Sequence, residues 1–352
     1  MERRDALIIG GGPAGSTCAK ALREGGLDVA VIDKKAFPRD KTCAGWVTPP
    51  VLELLSFDAD EYRQARTLQP ITGFRTGLIG GEAVETTYGE PVSYGIRRCE
   101  FDHYLLEQAR VDCRLGEPVR SLKRKGDLWV VNESLVAPML IGAGGHFCPV
   151  ARLLGGRDDV KSSVVAAQEI EFAAAPAQLG RVRVRAEAPE LYFCGDLKGY
   201  GWCFRKGDFL NIGLGRVDNQ NVSGHVAEFC EFLRSTGRVE CEIPGRFHGH
   251  AYQLYEQVQP TLVGDGVVLI GDAAGLAYAQ SGEGIRPAVE AGRIAADVIL
   301  KGGGDYSPDR LDEYRARILA RFGTPRKGSA SSWLPAGCLH FLAARLLATR
   351  WF

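Results

Sequence analysis

Apolar positions along the chain follow two periods, and the switches between them mark its elements. Ala6-Leu7-Ile8-Ile9 is a strand-length apolar run that breaks on Gly10-Gly11-Gly12-Pro13-Ala14-Gly15, after which Ala14, Cys18 and Leu22 recur at helical spacing. The pattern predicts strand, tight turn and helix. The helix should stop at Gly25-Gly26, and Leu27 to Ile32 should form a second buried strand ending in Asp33. Met139 to Gly144 predicts another strand, running into Gly142-Ala143-Gly144-Gly145. Val267 to Ile270 predicts a further one, followed by Gly271-Asp272-Ala273-Ala274-Gly275, then Ser281-Gly282-Glu283-Gly284-Ile285 and a helix rich in small residues (Ala288, Ala291, Gly292, Ala295, Ala296). Between these lie two stretches of strand character, 71–96 and roughly 160–255. In the longer one Tyr200, Trp202 and Phe204 alternate, Lys206-Gly207-Asp208 turns, and Phe209 to Gly215 returns, which predicts a hairpin with one aromatic face. From Trp333 to Phe352, Leu334, Cys338, Phe341, Leu342, Leu346 and Trp351 predict an amphipathic helix interrupted by Arg345 and Arg350.

These elements predict an α/β chain of two lobes. A discontinuous Rossmann-like lobe takes residues 1–70, 95–160 and 260–302; an inserted antiparallel-sheet lobe takes 71–94 and 161–259; 303–352 is a C-terminal helical segment. The first strand-turn-helix-strand unit predicts a dinucleotide site. Gly10 permits the sharp turn, Gly12 lets backbone approach a pyrophosphate over the helix N-terminus, and Gly15 allows close packing of helix on strand. Asp33 stands where a carboxylate accepts from an adenosine ribose. The turn by itself does not choose between FAD and NAD.

Composition narrows the partners. The 352 residues hold 43 basic and 43 acidic side chains, so no basic excess points to nucleic acid, and a small molecule is the expected partner. Ten cysteines without a CxxC pair argue against a zinc site or a secreted disulfide framework and suit a reducing cytoplasm. His248-Gly249-His250 places two imidazoles on one strand face without a third ligand nearby, so no metal is expected. The N-terminal apolar run is too short for a signal peptide, and no run is long enough to span a membrane.

The stretch from Gly271 to Ile285 resembles the glutathione-reductase-like FAD superfamily, in the branch holding p-hydroxybenzoate hydroxylase, flavin-dependent halogenases and geranylgeranyl reductases. That resemblance implies FAD, with Asp272 on the ribityl chain and Gly282, Gly284 and Ile285 beside the isoalloxazine. It adds Pro13, Ala14, Lys34, Cys43 and Gly144 to the cofactor site. Arg98-Cys99-Glu100-Phe101-Asp102 matches the family's RxxFD, which implies Arg98 near the pyrophosphate. Gly144 replaces an aspartate common in relatives, while Arg152 keeps a later basic position. Two segments are similar to the geranylgeranyl reductases. Tyr200 to Lys206 looks like their Tyr-x-Trp-x-Phe-Pro-Lys, with Arg205 in place of proline, and Lys41-Thr42-Cys43-Ala44-Gly45 looks like their Cys-Gly-Gly segment, with Ala44 interrupting it.

The resemblance therefore implies hydride transfer from reduced FAD to a carbon-carbon double bond of an isoprenoid or other apolar substrate, with Cys43, Tyr200 and Trp202 at the reaction site. An aromatic monooxygenase stays open as an alternative, as does a non-catalytic flavin-binding protein. A halogenase is disfavoured, because Gly201 to Lys206 lacks the second tryptophan and the Ile-Pro of WxWxIP. Glu169 and Glu283 are candidate general acids near the ring, although such carboxylates are more often solvated or salt-bridged. No second glycine-turn unit occurs, so electrons are expected from transiently bound NAD(P)H or a reduced redox protein. The helix of 333–352 is expected to cap the substrate lobe, with peripheral membrane contact as its other role. Neither substrate identity nor oligomeric state is written in the sequence.

Overall fold

The computed structural model describes residues 1–155, 164–218, 220–255, 261–278 and 281–324. Ala6–Ile9 is buried throughout, as a strand covered on both faces must be. It lies inside a six-stranded sheet with the order Val263–Gly264, Val267–Leu269, Met139–Gly142, Ala6–Ile9, Val29–Asp33, Asp112–Leu115. All pairs are parallel except the first, a short antiparallel hairpin. Parallel neighbours need a crossover, and helix Pro13–Glu24 provides it between Ala6–Ile9 and Val29–Asp33. That helix crosses Ile285–Gly302 at Gly292, where a Cβ would stand 2.6 Å from the Ala14 carbonyl oxygen. A four-stranded sheet of Glu2–Arg3, Leu135–Ala137, Leu128–Val131 and Leu122–Lys125 contributes Trp129, Val131 and Leu135 to the same core.

The second large sheet has seven strands, in the order His248–Gln253, Val164–Ala173, Phe209–Arg216, Gly199–Lys206, Glu190–Phe193, Gly73–Leu78, Ala83–Thr87. Its period of two assigns the faces. Tyr192, Cys203, Ile170, Ile212 and Leu214 pack under helix Val222–Ser235 through Val226, Phe229 and Leu233. The residues between them form the opposite face in cross-strand rows. One row runs His250, Ala167, Gly215, Tyr200; the next runs His248, Glu169, Gly213, Trp202; a third holds Glu171, Asn211 and Phe204.

One expectation about this lobe needs correction. The sheet is mixed, because Gly73–Leu78 and Glu190–Phe193 pair in parallel. These strands come from separate insertions with no hairpin joining them, so tertiary packing rather than a turn sets their direction. At the edge of the 71–94 stretch, Ser93–Ile96 pairs with Leu68–Ile71 and Trp46–Val47 in a three-stranded sheet. Its Val47, Leu68 and Ile96 pack with Phe101, Ile285 and Val289 of the nucleotide lobe. Of the C-terminal segment, helix Pro308–Phe322 buries Leu311, Tyr314 and Ile318 in the first core, and the Tyr314 hydroxyl donates to Leu269 O at 2.8 Å. The predicted helix of 333–352 lies outside the described residues. Among those described, no helix is long and apolar enough to cross a membrane.

Candidate active site

The turn after Ala6–Ile9 is glycine for two different reasons. Gly10 has φ +113° and a Cβ on it would lie 2.4 Å from Ala143 O, while a Cβ on Gly15 would lie 1.9 Å from Gly10 O. Both positions are closed by neighbouring backbone. Gly12 opens onto a cavity, with Arg39 Nη2 3.5 Å from where its Cβ would be. Gly12 also precedes a helix that no side chain caps, so first-turn N–H groups are available to an anion. Asp33, at the end of strand Val29–Asp33, lines the same cavity. Its Oδ2 accepts from Gly11 N at 2.8 Å and its Oδ1 from Lys35 N at 2.9 Å, which ties the strand end to the glycine turn.

Asp272 opens the short turn Gly271–Ala274, and its Oδ2 stands 3.7 Å from His250 Nε2. Burial resists its ionisation, but His250 together with the charges of Lys41 and Arg98 holds its pKa at about 2. Burial lowers His250 in spite of Asp272, so the imidazole is uncharged at neutral pH. Burial also lowers Lys41 to about 8, opposed by Asp272. The following glycine loop is gripped by the second sheet. The Tyr200 hydroxyl donates to Ser281 O at 3.0 Å, and a Cβ on Gly282 would meet Tyr252 Oη at 2.5 Å.

The segment carrying Cys43 is held by the same sheet face. Its N–H donates to Glu169 Oε2 at 2.6 Å, its carbonyl accepts from Asn211 Nδ2 at 3.0 Å, and its Sγ accepts from Gly45 N at 3.3 Å. Asn211 Oδ1 in turn accepts from the Trp202 indole at 2.7 Å, which sets the ring orientation. Lys206, only 1% exposed, donates to Ile96 O at 2.8 Å and to Glu171 at 2.7 Å. Burial raises Glu169 to about 7, although the Cys43 N–H and the charge of Lys206 pull the other way.

Apart from Gly15, every residue assigned from sequence to cofactor or catalysis lines one cavity of about 1100 Å³. They are Gly10, Gly12, Pro13, Ala14, Asp33, Lys34, Cys43, Arg98, Gly144, Tyr200, Trp202, Asp272, Gly282, Gly284 and Ile285. That volume exceeds the ~300–1,000 Å³ of an ordinary small-molecule pocket and leaves room for a second ligand beside a cofactor. Arg98 lines the cavity from the first turn of helix Arg98–Ala109. Its guanidinium forks onto Asp102 with two contacts of 2.8 Å. The arginine beside Gly12 is Arg39, which also reaches Asp102 at 3.3 Å. Sequence reading missed Arg39 and Lys41, which stand in a segment of no regular period. It also missed Asn211 as a site residue, although strand alternation places it on the cavity face. Gly144 lines the cavity with Cys148 Sγ 3.2 Å from its Cβ position. Among the described residues, no group of three or more His, Cys, Asp or Glu could hold a metal ion.

Residues 4–132 match the family model described as pyridine nucleotide-disulphide oxidoreductase. The chain is 28% identical over 339 residues to digeranylgeranylglycerophospholipid reductase 2 of Methanosphaera stadtmanae, covering 89% of this chain and 82% of that protein. It is 28% identical over 343 residues to the menaquinone reductase of Mycolicibacterium smegmatis, covering 90% and 82%. A geranylgeranyl bacteriochlorophyll reductase-like structure from Thermoplasma acidophilum superposes with a TM-score of 0.79 at 22% identity, over 99% of this chain and 88% of that one. The halogenase PltM in complex with FAD superposes with a TM-score of 0.71 at 17% identity, over 92% and 75%. The chain has the FAD-binding Rossmann-type fold, and its closed turn at Gly10 and Gly15 with an open, uncapped helix start at Gly12 fits that cofactor.

Proposed function

We propose that this chain, an FAD-dependent oxidoreductase similar over most of its length to geranylgeranyl-type reductases, reduces carbon-carbon double bonds of an isoprenoid or comparably apolar substrate. The observation that carries this reading is one cavity shared by the dinucleotide turn, the Asp272 loop and a sheet face that presents Tyr200, Trp202 and Ala167 to it. Gly12, Arg39 and Lys34 would hold the dinucleotide, and Asp272, Gly282, Gly284 and Ile285 its ring end. When bound, FAD supplies two-electron hydride chemistry.

The protein's own work is to bind, orient and keep water out. Trp202, Tyr200, Val165, Ala167, Tyr252 and Leu254 give the substrate side of the cavity aromatic and aliphatic walls. Trp202 is locked by Asn211, and Tyr200 by Ser281, so these walls are preorganised. Asp272 stays anionic and His250 neutral across the physiological range, which fixes the charge beside the glycine loop. Reducing equivalents come from a transiently bound nicotinamide or a reduced redox protein.

Anaerobic reoxidation tests the reading. FAD-loaded protein, reduced chemically and mixed with polyprenyl and aromatic compounds without oxygen, should be reoxidised by the polyprenyl compounds with a saturated product. Reoxidation that needs oxygen together with an aromatic compound would instead identify a monooxygenase.

A further inference from the structure

Reduction of an alkene needs a proton as well as a hydride, and the cavity wall can be searched for its source. Most polar groups there already have a task. The Tyr200 hydroxyl donates to Ser281 O, and the Trp202 indole donates to Asn211. Asp272 is held anionic and His250 neutral. Glu171 is ion-paired with Lys206 Nζ at 2.7 Å and Arg97 Nε at 3.4 Å.

Glu169 differs from Glu171, two residues along the same strand and on the same face. It is 7% exposed, lines the cavity beside Trp202, and forms no ion pair among the described residues. Its oxygens accept from two neutral donors, Cys43 N at 2.6 Å and Asn211 Nδ2 at 3.4 Å. Of the two carboxyl groups, Glu171 has two cations against it and Glu169 has only neutral donors. The groups facing Glu169 are Cys43 and Arg98 from the nucleotide lobe, Asn211 from one flanking strand and the exposed His248 from the other, Lys206 from the strand beyond Asn211, and Glu171 on its own strand.

Resting on the reductase reading, we infer that Glu169 is the proton donor, giving its carboxyl proton to the alkene carbon that does not take the hydride. The C=C π bond breaks and two C–H bonds form, one from hydride supplied by reduced flavin and one from the Glu169 proton. The flavin is left oxidised, and the carboxylate regains a proton from water. The Cys43 thiol is the rival donor. Burial supports Glu169 by keeping a share of it protonated at neutral pH.

Three measurements test the assignment. Infrared spectra of the FAD-free protein should show a protonated carboxyl band that titrates near pH 7, absent in Glu169→Gln and kept in Glu171→Gln. Glu169→Gln should still bind FAD, while its anaerobic reoxidation by a polyprenyl alkene falls roughly 100-fold or more. In the wild type that reoxidation should slow as pH rises through about 7, a readout that needs no variant. Equal rates in wild type and Glu169→Gln, a pH-independent wild-type rate, or loss confined to Cys43→Ala would each overturn the assignment. A wild type that no alkene reoxidises would overturn the reductase reading itself, a result visible before any variant is made.

Discussion

Gly12 and Gly15 are glycines of one turn with opposite sensitivities. Gly12 has ordinary extended backbone, φ −75° and ψ −175°, and faces open space. Gly12→Val should therefore leave the FAD-free protein within about 0.5 kcal/mol of wild type while abolishing FAD retention. Gly15→Val collides with Gly10 O and should cost about 1–3 kcal/mol or more before any cofactor is added. Flavin absorbance and urea denaturation separate the two effects. Glu169 carries a pH signature of its own. Its folded pKa of about 7 lies above the ordinary 4.5, so its contribution to stability is complete below about pH 4.5 and is lost as pH rises through 7. Glu169→Gln carries no such loss. Relative to wild type it should gain roughly 3 kcal/mol between about pH 4 and pH 8, and a constant difference in urea midpoints would contradict this. The glycines were legible as residues because a motif names them. The protonation of Glu169 was not, because a strand position says nothing about which cations its neighbours bring.

At the scale of elements, the aromatic hairpin was readable from alternation, and its partner strand explains the glycine spacing. A Cβ on Gly213 would stand 2.3 Å from Trp202 Cζ2 and 2.7 Å from Gln168 O, so the indole lies across bare backbone. Gly213→Ala should cost about 1–3 kcal/mol, displace the indole from Asn211 and shift tryptophan emission, with FAD binding preserved. Unchanged emission together with unchanged stability would refute the packing argument. Alternation could not say where the cavity ends along the strand. Phe204 shares a face and a buried cluster with Trp202 and packs against Trp46 at 6.1 Å between ring centroids, but only Trp202 of the two lines the cavity. Helix Arg98–Ala109 tells a similar story through Asp102, a fully buried carboxylate that serves both Arg98 and Arg39. Asp102→Asn should cost about 3–5 kcal/mol, because the buried Arg98 loses its anion and the part-buried Arg39 loses its contact, and should loosen FAD through Arg39.

Across the whole molecule, the cavity is lined by residues from both large sheets, so cofactor binding and folding are coupled. FAD at about a hundredfold its Kd should stabilise the protein by ~2.7 kcal/mol, with the increment seen by tryptophan emission from the substrate sheet as well as by flavin fluorescence. An increment confined to one probe would mean that the lobes melt independently. The sequence by itself determined the strand-turn-helix of a dinucleotide site, the need for glycine at its turn and the two-faced sheet, while FAD came from the family resemblance of the Gly271 to Ile285 stretch. The turn and the sheet faces depend on backbone sterics and short-range periodicity, which contiguous residues specify. Only the tertiary structure decided that Arg39 stands beside Gly12, that two strands from separate insertions pair in parallel, and that Glu171 is ion-paired with Lys206 and Arg97 while Glu169 has no ion pair among the described residues. Each of these is settled by contacts between residues far apart in the chain, and for the carboxyl groups by the burial and charge that such contacts create.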